Sequence, residues 1–134
     1  MLASQLVDRW EEAREAFARS LEHWRAIGQE VASVESKAGL AYATWRGGDT
    51  VRARGVLEEV MQFLERGSLS GAKEPLRVYV MCHRMLKEDG DMRAQAVLQR
   101  ARELLQAQAE GIGDLNLRRS FLERVAVNRE IVED

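Results

Sequence analysis

Apolar and small residues along this chain recur at helical spacing. Ala13, Phe17, Ser20 and Trp24 follow one another by four, three and four residues, as do Ala53, Leu57, Val60 and Leu64, and again Ala94, Leu98, Ala101 and Leu105. Such steps place each set on one stripe of a helix. The small leading residue lets a neighbouring helix come close. The three sets stand about forty residues apart, an internal repeat. A second set lies between them, in which Leu40, Ala41, Thr44 and Trp45 match Met81, Cys82, Met85 and Leu86. Gly48-Asp49 and Gly90-Asp91 break the pattern between the two kinds of run. There a glycine can end one helix in the left-handed region, and an aspartate can cap the next by accepting a free N–H. Pro75 suits a first helical turn, where its missing N–H goes unneeded. The pattern predicts helices over 9–27, 30–46, 50–66, 75–88, 92–109, 115–125 and 127–132. No stretch alternates β-branched and polar residues in the manner of a strand. The expected class is all-α.

Composition narrows the reading. A chain of 134 residues is the size of one domain, and a single proline leaves little room for disordered linkers. Twenty basic residues against 22 acidic ones, mixed along every segment, argue against nucleic acid as a partner. The lone Cys82 excludes an internal disulfide framework and fits a reducing compartment. No apolar run approaches the ~20 residues that span a bilayer, so a cytoplasmic protein without membrane contact is expected.

Helix pairs joined by Gly-Asp turns resemble the tetratricopeptide repeat. The residues that carry the resemblance are Leu40-Ala41, Gly48-Asp49, Ala53, Leu57 and Val60, then Met81-Cys82, Gly90-Asp91, Ala94, Leu98 and Ala101. The period here is longer than the ~34 residues of that family, the extra length falling between one pair and the next. The closing stretch LLQAQAEGIGDLNLRRSFLERVAVNREI resembles the end of arrays in STAND-class signalling ATPases and related bacterial regulators, with Ala126 where those often carry proline. The resemblance implies an α-solenoid of about three antiparallel helix pairs in a right-handed superhelix. Residues 1–27 would be a truncated first repeat, 30–66 and 75–109 the next pairs, and 115–134 a C-terminal cap. It also implies a fragment of a larger parent, with upstream repeats or an NTPase domain as neighbours. The start supports that expectation, since Met1 to Val7 look like the end of a preceding helix. An open first helix would expose an apolar edge, met either by one continuous helix from Ala3 to Ala26 or by self-association.

Catalytic chemistry finds little to use. His23 and His83 lie far apart in sequence, and neither sits in a known nucleophile arrangement. Cys82 and His83 are adjacent on a helix and point about 100° apart, a poor start for a metal site. Cys82 matches Ala41 and is expected to pack in the core. The carboxylates of Glu11-Glu12 and Glu58-Glu59 share their faces with Arg14 and Arg54 and read as solvated helix surface. Neither Gly47-Gly48 nor Gly111-Ile-Gly-Asp114 is followed by the Lys-Ser/Thr that a phosphate-binding loop needs. No enzyme activity and no cofactor are expected.

What remains is surface. The resemblance places a concave groove for a protein or peptide ligand on the first helix of each pair. Its contact positions here are Glu35, Ala38, Tyr42, Trp45 and Arg46, then Leu76, Tyr79, His83, Leu86 and Lys87, with Arg124 extending the line. Rings beside cations suit an extended peptide. Packing of Trp45 and Leu86 against the following helix is the competing expectation. The function expected is a non-catalytic interaction or sensor module, with a stand-alone scaffold or a small-molecule sensor as alternatives.

Overall fold

The computed structural model of the chain describes residues 2–124 and residue 131, with side chains from 8 to 122 and at 131. Among these residues the protein is all-helical, with no strand. The helices are α1 (Leu2–Ala26), α2 (Glu30–Arg46), α3 (Thr50–Arg66), α4 (Pro75–Glu88), α5 (Arg93–Glu110) and α6 (Leu115–Arg124). The bounds of α2, α3 and α4 are those expected from the pattern, and α5 is displaced by one residue. The first helix is longer than the predicted 9–27, because it runs unbroken from residue 2. Of the expected last helix over 127–132, only Ile131 is described. It is helical and fully buried; Ala126 lies outside the described residues.

Three joints share one construction. In each, a left-handed glycine follows the helix, with Gly28 at φ +72°, Gly48 at +102° and Gly90 at +68°. The residue after the glycine donates its N–H back five positions, Gln29 to Trp24, Asp49 to Thr44 and Asp91 to Leu86, at 2.9, 3.1 and 2.9 Å. The glycine N–H bonds three positions back, to Arg25, Trp45 and Lys87. This closure pairs the last free carbonyls of a helix, and the left-handed residue it needs is cheapest as glycine. The end of α5 differs. Gly111 keeps a right-handed φ of −70°, and Ile112 N–H bonds Ala109 O.

Contacts divide the chain into two compact units, Met1–Pro75 and Leu76–Asp134. In the first, α2 packs on both α1 and α3. The two hairpins fold symmetrically about their glycines. Phe17 meets Gly39 across α1 and α2, each eleven residues from Gly28, and Trp10 meets Arg46, each eighteen away. About Gly48, Lys37 pairs with Glu59 at 3.6 Å and Glu30 with Arg66 at 3.6 Å, again eleven and eighteen residues out on either side. Both hairpins are therefore antiparallel and in matching register. Being covered on two sides, α2 buries small residues, among them Ser33, Ser36, Ala38, Gly39, Ala41 and Ala43. Two of its buried hydroxyls bond back within the chain's own helical turn, Ser33 Oγ donating to Gln29 O and Thr44 Oγ1 to Leu40 O at 2.8 and 2.7 Å.

The face of α1 turned away from α2 carries Asp8, Glu12, Glu15, Arg19 and Glu22, all exposed. From residue 8 onward the apolar edge expected of an uncovered first helix is instead a charged surface. Among its described side chains, the apolar stripe of α1 packs on α2.

The second unit is α4, α5 and α6, with Leu76, Val78, Val80, Met85, Leu86, Val97, Leu98 and Leu105 in its core. His83 and Tyr79 tie α4 to α5, as described below. Asp114 caps α6, its Oδ1 accepting N–H bonds from Asn116 and Leu117 at 2.8 and 3.0 Å. Arg102 Nε donates to the Ile131 carbonyl at 3.4 Å, fixing that residue on α5.

Candidate functional site

The glycine joints spend their donors on the fold. At Gly47-Gly48-Asp49, the N–H groups of all three residues bond to carbonyls at the end of α2, and Asp49 Oδ1 takes the N–H of Arg52 at the start of α3. At the second joint Asp91 accepts the N–H of Arg93 at 2.8 Å and holds its guanidinium through both oxygens, at 3.1 and 2.8 Å. These bonds from Arg93 to the charged form keep the Asp91 carboxyl below the usual carboxylate range. The Gly48 and Gly90 joints each already carry an anion of their own.

The nucleophilic and ligating side chains are dispersed. His83 is buried, and its Nδ1–H donates to Ala94 O at 3.0 Å, so the ring serves as a strut between α4 and α5. His23 is exposed, edge-on to Trp24 with centroids 5.0 Å apart. Cys82 is fully buried, and loss of solvation pushes its thiol up to about 12, which keeps it protonated and unreactive at neutral pH. Among the described residues no three His, Cys, Asp or Glu side chains converge in a way that could hold a metal ion.

The residues expected to line a groove meet different fates. In the second unit Leu76, Tyr79, His83 and Leu86 are core, between 1% and 9% exposed, and Arg100 lies over the Tyr79 ring at 5.4 Å. Lys87 is exposed, and the side chain of Arg124 lies outside the described residues. In the first unit Ala38 is fully buried. The Glu35 carboxylate is occupied, accepting the N–H groups of Lys73 and Glu74 at 3.1 and 2.9 Å. It pins the segment leading to Pro75, whose Leu69 plugs into the core at 5% exposure. Tyr42 and Trp45 remain half-buried and Arg46 exposed.

These last three form a real cluster with a residue that the pattern did not single out. Trp10 of α1 stands edge-on to Tyr42 with centroids 5.9 Å apart, Tyr42 is tilted against Trp45 at 5.5 Å, and the Arg46 guanidinium lies 5.2 Å from the Trp10 centroid. The edge-to-face and tilted geometries suit ring quadrupoles, and a cation is attracted to the indole face. The signal for Trp10 was available in the sequence. Folding the chain back about Gly28 brings residue 10 opposite residue 46, but that needs Gly28 read as the same kind of joint as Gly48.

Charges around the cluster are mostly paired. Glu11 bonds the Arg14 guanidinium, which lowers the Glu11 carboxyl below its ordinary range and raises Arg14. Asp49 pairs with Arg52 at 3.8 Å. Arg46 has no carboxylate partner among the described residues; its guanidinium rests on the ring of Trp10.

No protein-family model, curated protein or solved structure matches this chain.

Proposed function

We propose that this chain is a non-catalytic interaction module, a tetratricopeptide-like α-solenoid, that receives a protein or peptide segment on the Trp10, Tyr42 and Trp45 face of its first hairpin. The observation that carries the reading is the ring cluster itself. Trp10, Tyr42 and Trp45 touch one another and stay only partly buried at one end of the first hairpin. Among the described residues, the unit's other partly buried or exposed apolar side chains, such as Phe17, Trp24 and Ile27, do not gather into a ring cluster with a cation. Half-exposed rings of Trp and Tyr give contact area at small entropic cost, and they are enriched where one protein binds another. The repeated glycine closure, with its matching register on either side of Gly28 and Gly48, supports the solenoid part.

The parent we propose is a bacterial STAND-type ATPase, in which these helices would sense a trigger from the cytoplasm. That step rests on the likeness of the closing stretch and on family analogy. Among the described residues no helix is long and apolar enough to cross a membrane.

Selection from a phage-displayed random decapeptide library tests the interaction reading. Wild type is expected to enrich binders that Trp10→Ala plus Trp45→Ala no longer retains, with helical circular dichroism unchanged. Enrichment no greater for wild type than for the double variant would sink the proposal.

A further inference from the structure

The cluster has a polarity that narrows its occupant. At this end of the first hairpin Glu11 pairs with Arg14 and Asp49 with Arg52, while Arg46 rests on a ring and no carboxylate reaches it among the described residues. The unpaired acids nearest in sequence are Asp8 and Glu12. Each is two residues from Trp10, about 200° around α1, and so on the opposite side of that helix. The one acid expected on the same face of α2, Glu35, has both oxygens committed to the N–H groups of Lys73 and Glu74. Among the described residues, the open side of the ring cluster therefore carries the positive charge of Arg46 with no carboxylate paired to it.

From this we infer that the occupant is an acidic peptide segment pairing an Asp or Glu with a neighbouring apolar or aromatic side chain, and that Arg46 is the residue that selects it. The inference rests on the interaction reading above and deepens it. A guanidinium lying on an indole keeps its N–H donors in its own plane, so its edge can take a carboxylate in a two-bond fork while the ring stays beneath it. The Tyr42 and Trp45 rings, within 5.9 Å of their neighbours, then offer area for the adjoining side chain. A lysine at position 46 would keep the charge and lose the fork. Arg46 is exposed, so replacing it leaves the core intact.

The same random decapeptide library decides the matter, because the composition of the enriched pool is read as well as its yield. The wild-type pool is expected to carry an excess of Asp and Glu beside a large apolar residue. Arg46→Glu should exchange that excess for Lys and Arg, and Arg46→Lys should weaken individual acidic binders by roughly tenfold in Kd. Raising salt from 50 to 500 mM should weaken wild-type binders more than those of Arg46→Ala. A wild-type pool that is neutral or basic, or a pool left unchanged by Arg46→Glu, overturns the assignment of charge while leaving the interaction reading in place. Failure of any pool to enrich above the Trp10→Ala plus Trp45→Ala control removes both.

Discussion

Tyr42, Trp45 and Arg46 at the end of α2 stand forty-one residues ahead of His83, Leu86 and Lys87 at the end of α4, and both triplets precede the same glycine closure. Their surroundings are opposite. In the first triplet Tyr42 and Trp45 are half-buried and Arg46 lies exposed over the Trp10 ring, whereas in the second His83 and Leu86 are 4% and 1% exposed and only Lys87 reaches solvent. Neighbouring positions account for part of the difference. Where α4 carries Tyr79 and Val80, α2 carries Ala38 and Gly39, so α2 concentrates its large residues at one end and α4 spreads them along its length. A shared register sets how a helix stops. It does not set which residues face water.

The largest expected effect breaks the pairing of Trp45 with Leu86. Leu86→Ala removes a fully buried side chain and should cost about 2–5 kcal/mol in urea unfolding followed by circular dichroism. Trp45→Ala removes a half-buried ring and one tilted ring contact, for a loss of roughly 1–2 kcal/mol despite the greater volume deleted. Equal losses would mean that both positions are core and that the cluster is packing rather than surface.

Gly39 comes next, because its counterpart in α4 is the buried Val80. A Cβ on Gly39 would lie 2.3 Å from Cε1 of Phe17, so the ring must swing outward. Gly39→Ala should destabilise by about 1–3 kcal/mol, at the low end if Phe17, already 36% exposed, moves freely. The cost should vanish in a Phe17→Ala background. A double-mutant cycle reads that coupling directly, and additivity would show that the strain lies elsewhere.

The helices and their joints were legible in the pattern because both are local. Periodicity of three and four residues marks α2 to α5, and glycine in front of aspartate marks two of the three helix ends that close on a left-handed glycine. The cluster was legible only in part. Tyr42, Trp45 and Arg46 sit on one helix and could be grouped by spacing, but Trp10 joins them across a hairpin, and its partner depends on which residue forms the turn. Glu35 was visible as an acid on the right face. Its capture by Lys73 and Glu74, thirty-eight and thirty-nine residues away, depends on the path of an irregular segment that no periodicity describes. Tyr79 and His83 were expected on a groove because the resemblance assigns contact positions to the first helix of each pair, whereas packing against α5 leaves them 5% and 4% exposed.

The smallest expected effect sharpens the repeat itself. Gly55 interrupts α3 at the position where α5 has Ala96, and a Cβ built there meets nothing within 4 Å. Its φ is ordinary, so alanine fits the existing backbone without strain. Gly55→Ala removes conformational freedom from the unfolded chain and should stabilise by about 0.4–1 kcal/mol, seen as a few degrees in Tm. Because Trp10, Trp24 and Trp45 all belong to the first unit, their fluorescence reports that unit during melting. A rise in the fluorescence midpoint would show that this glycine is a local weakness of α3 with no role in its packing. An unchanged or lowered midpoint would mean that α3 requires glycine there, and that the match between Gly55 and Ala96 is a coincidence of spacing.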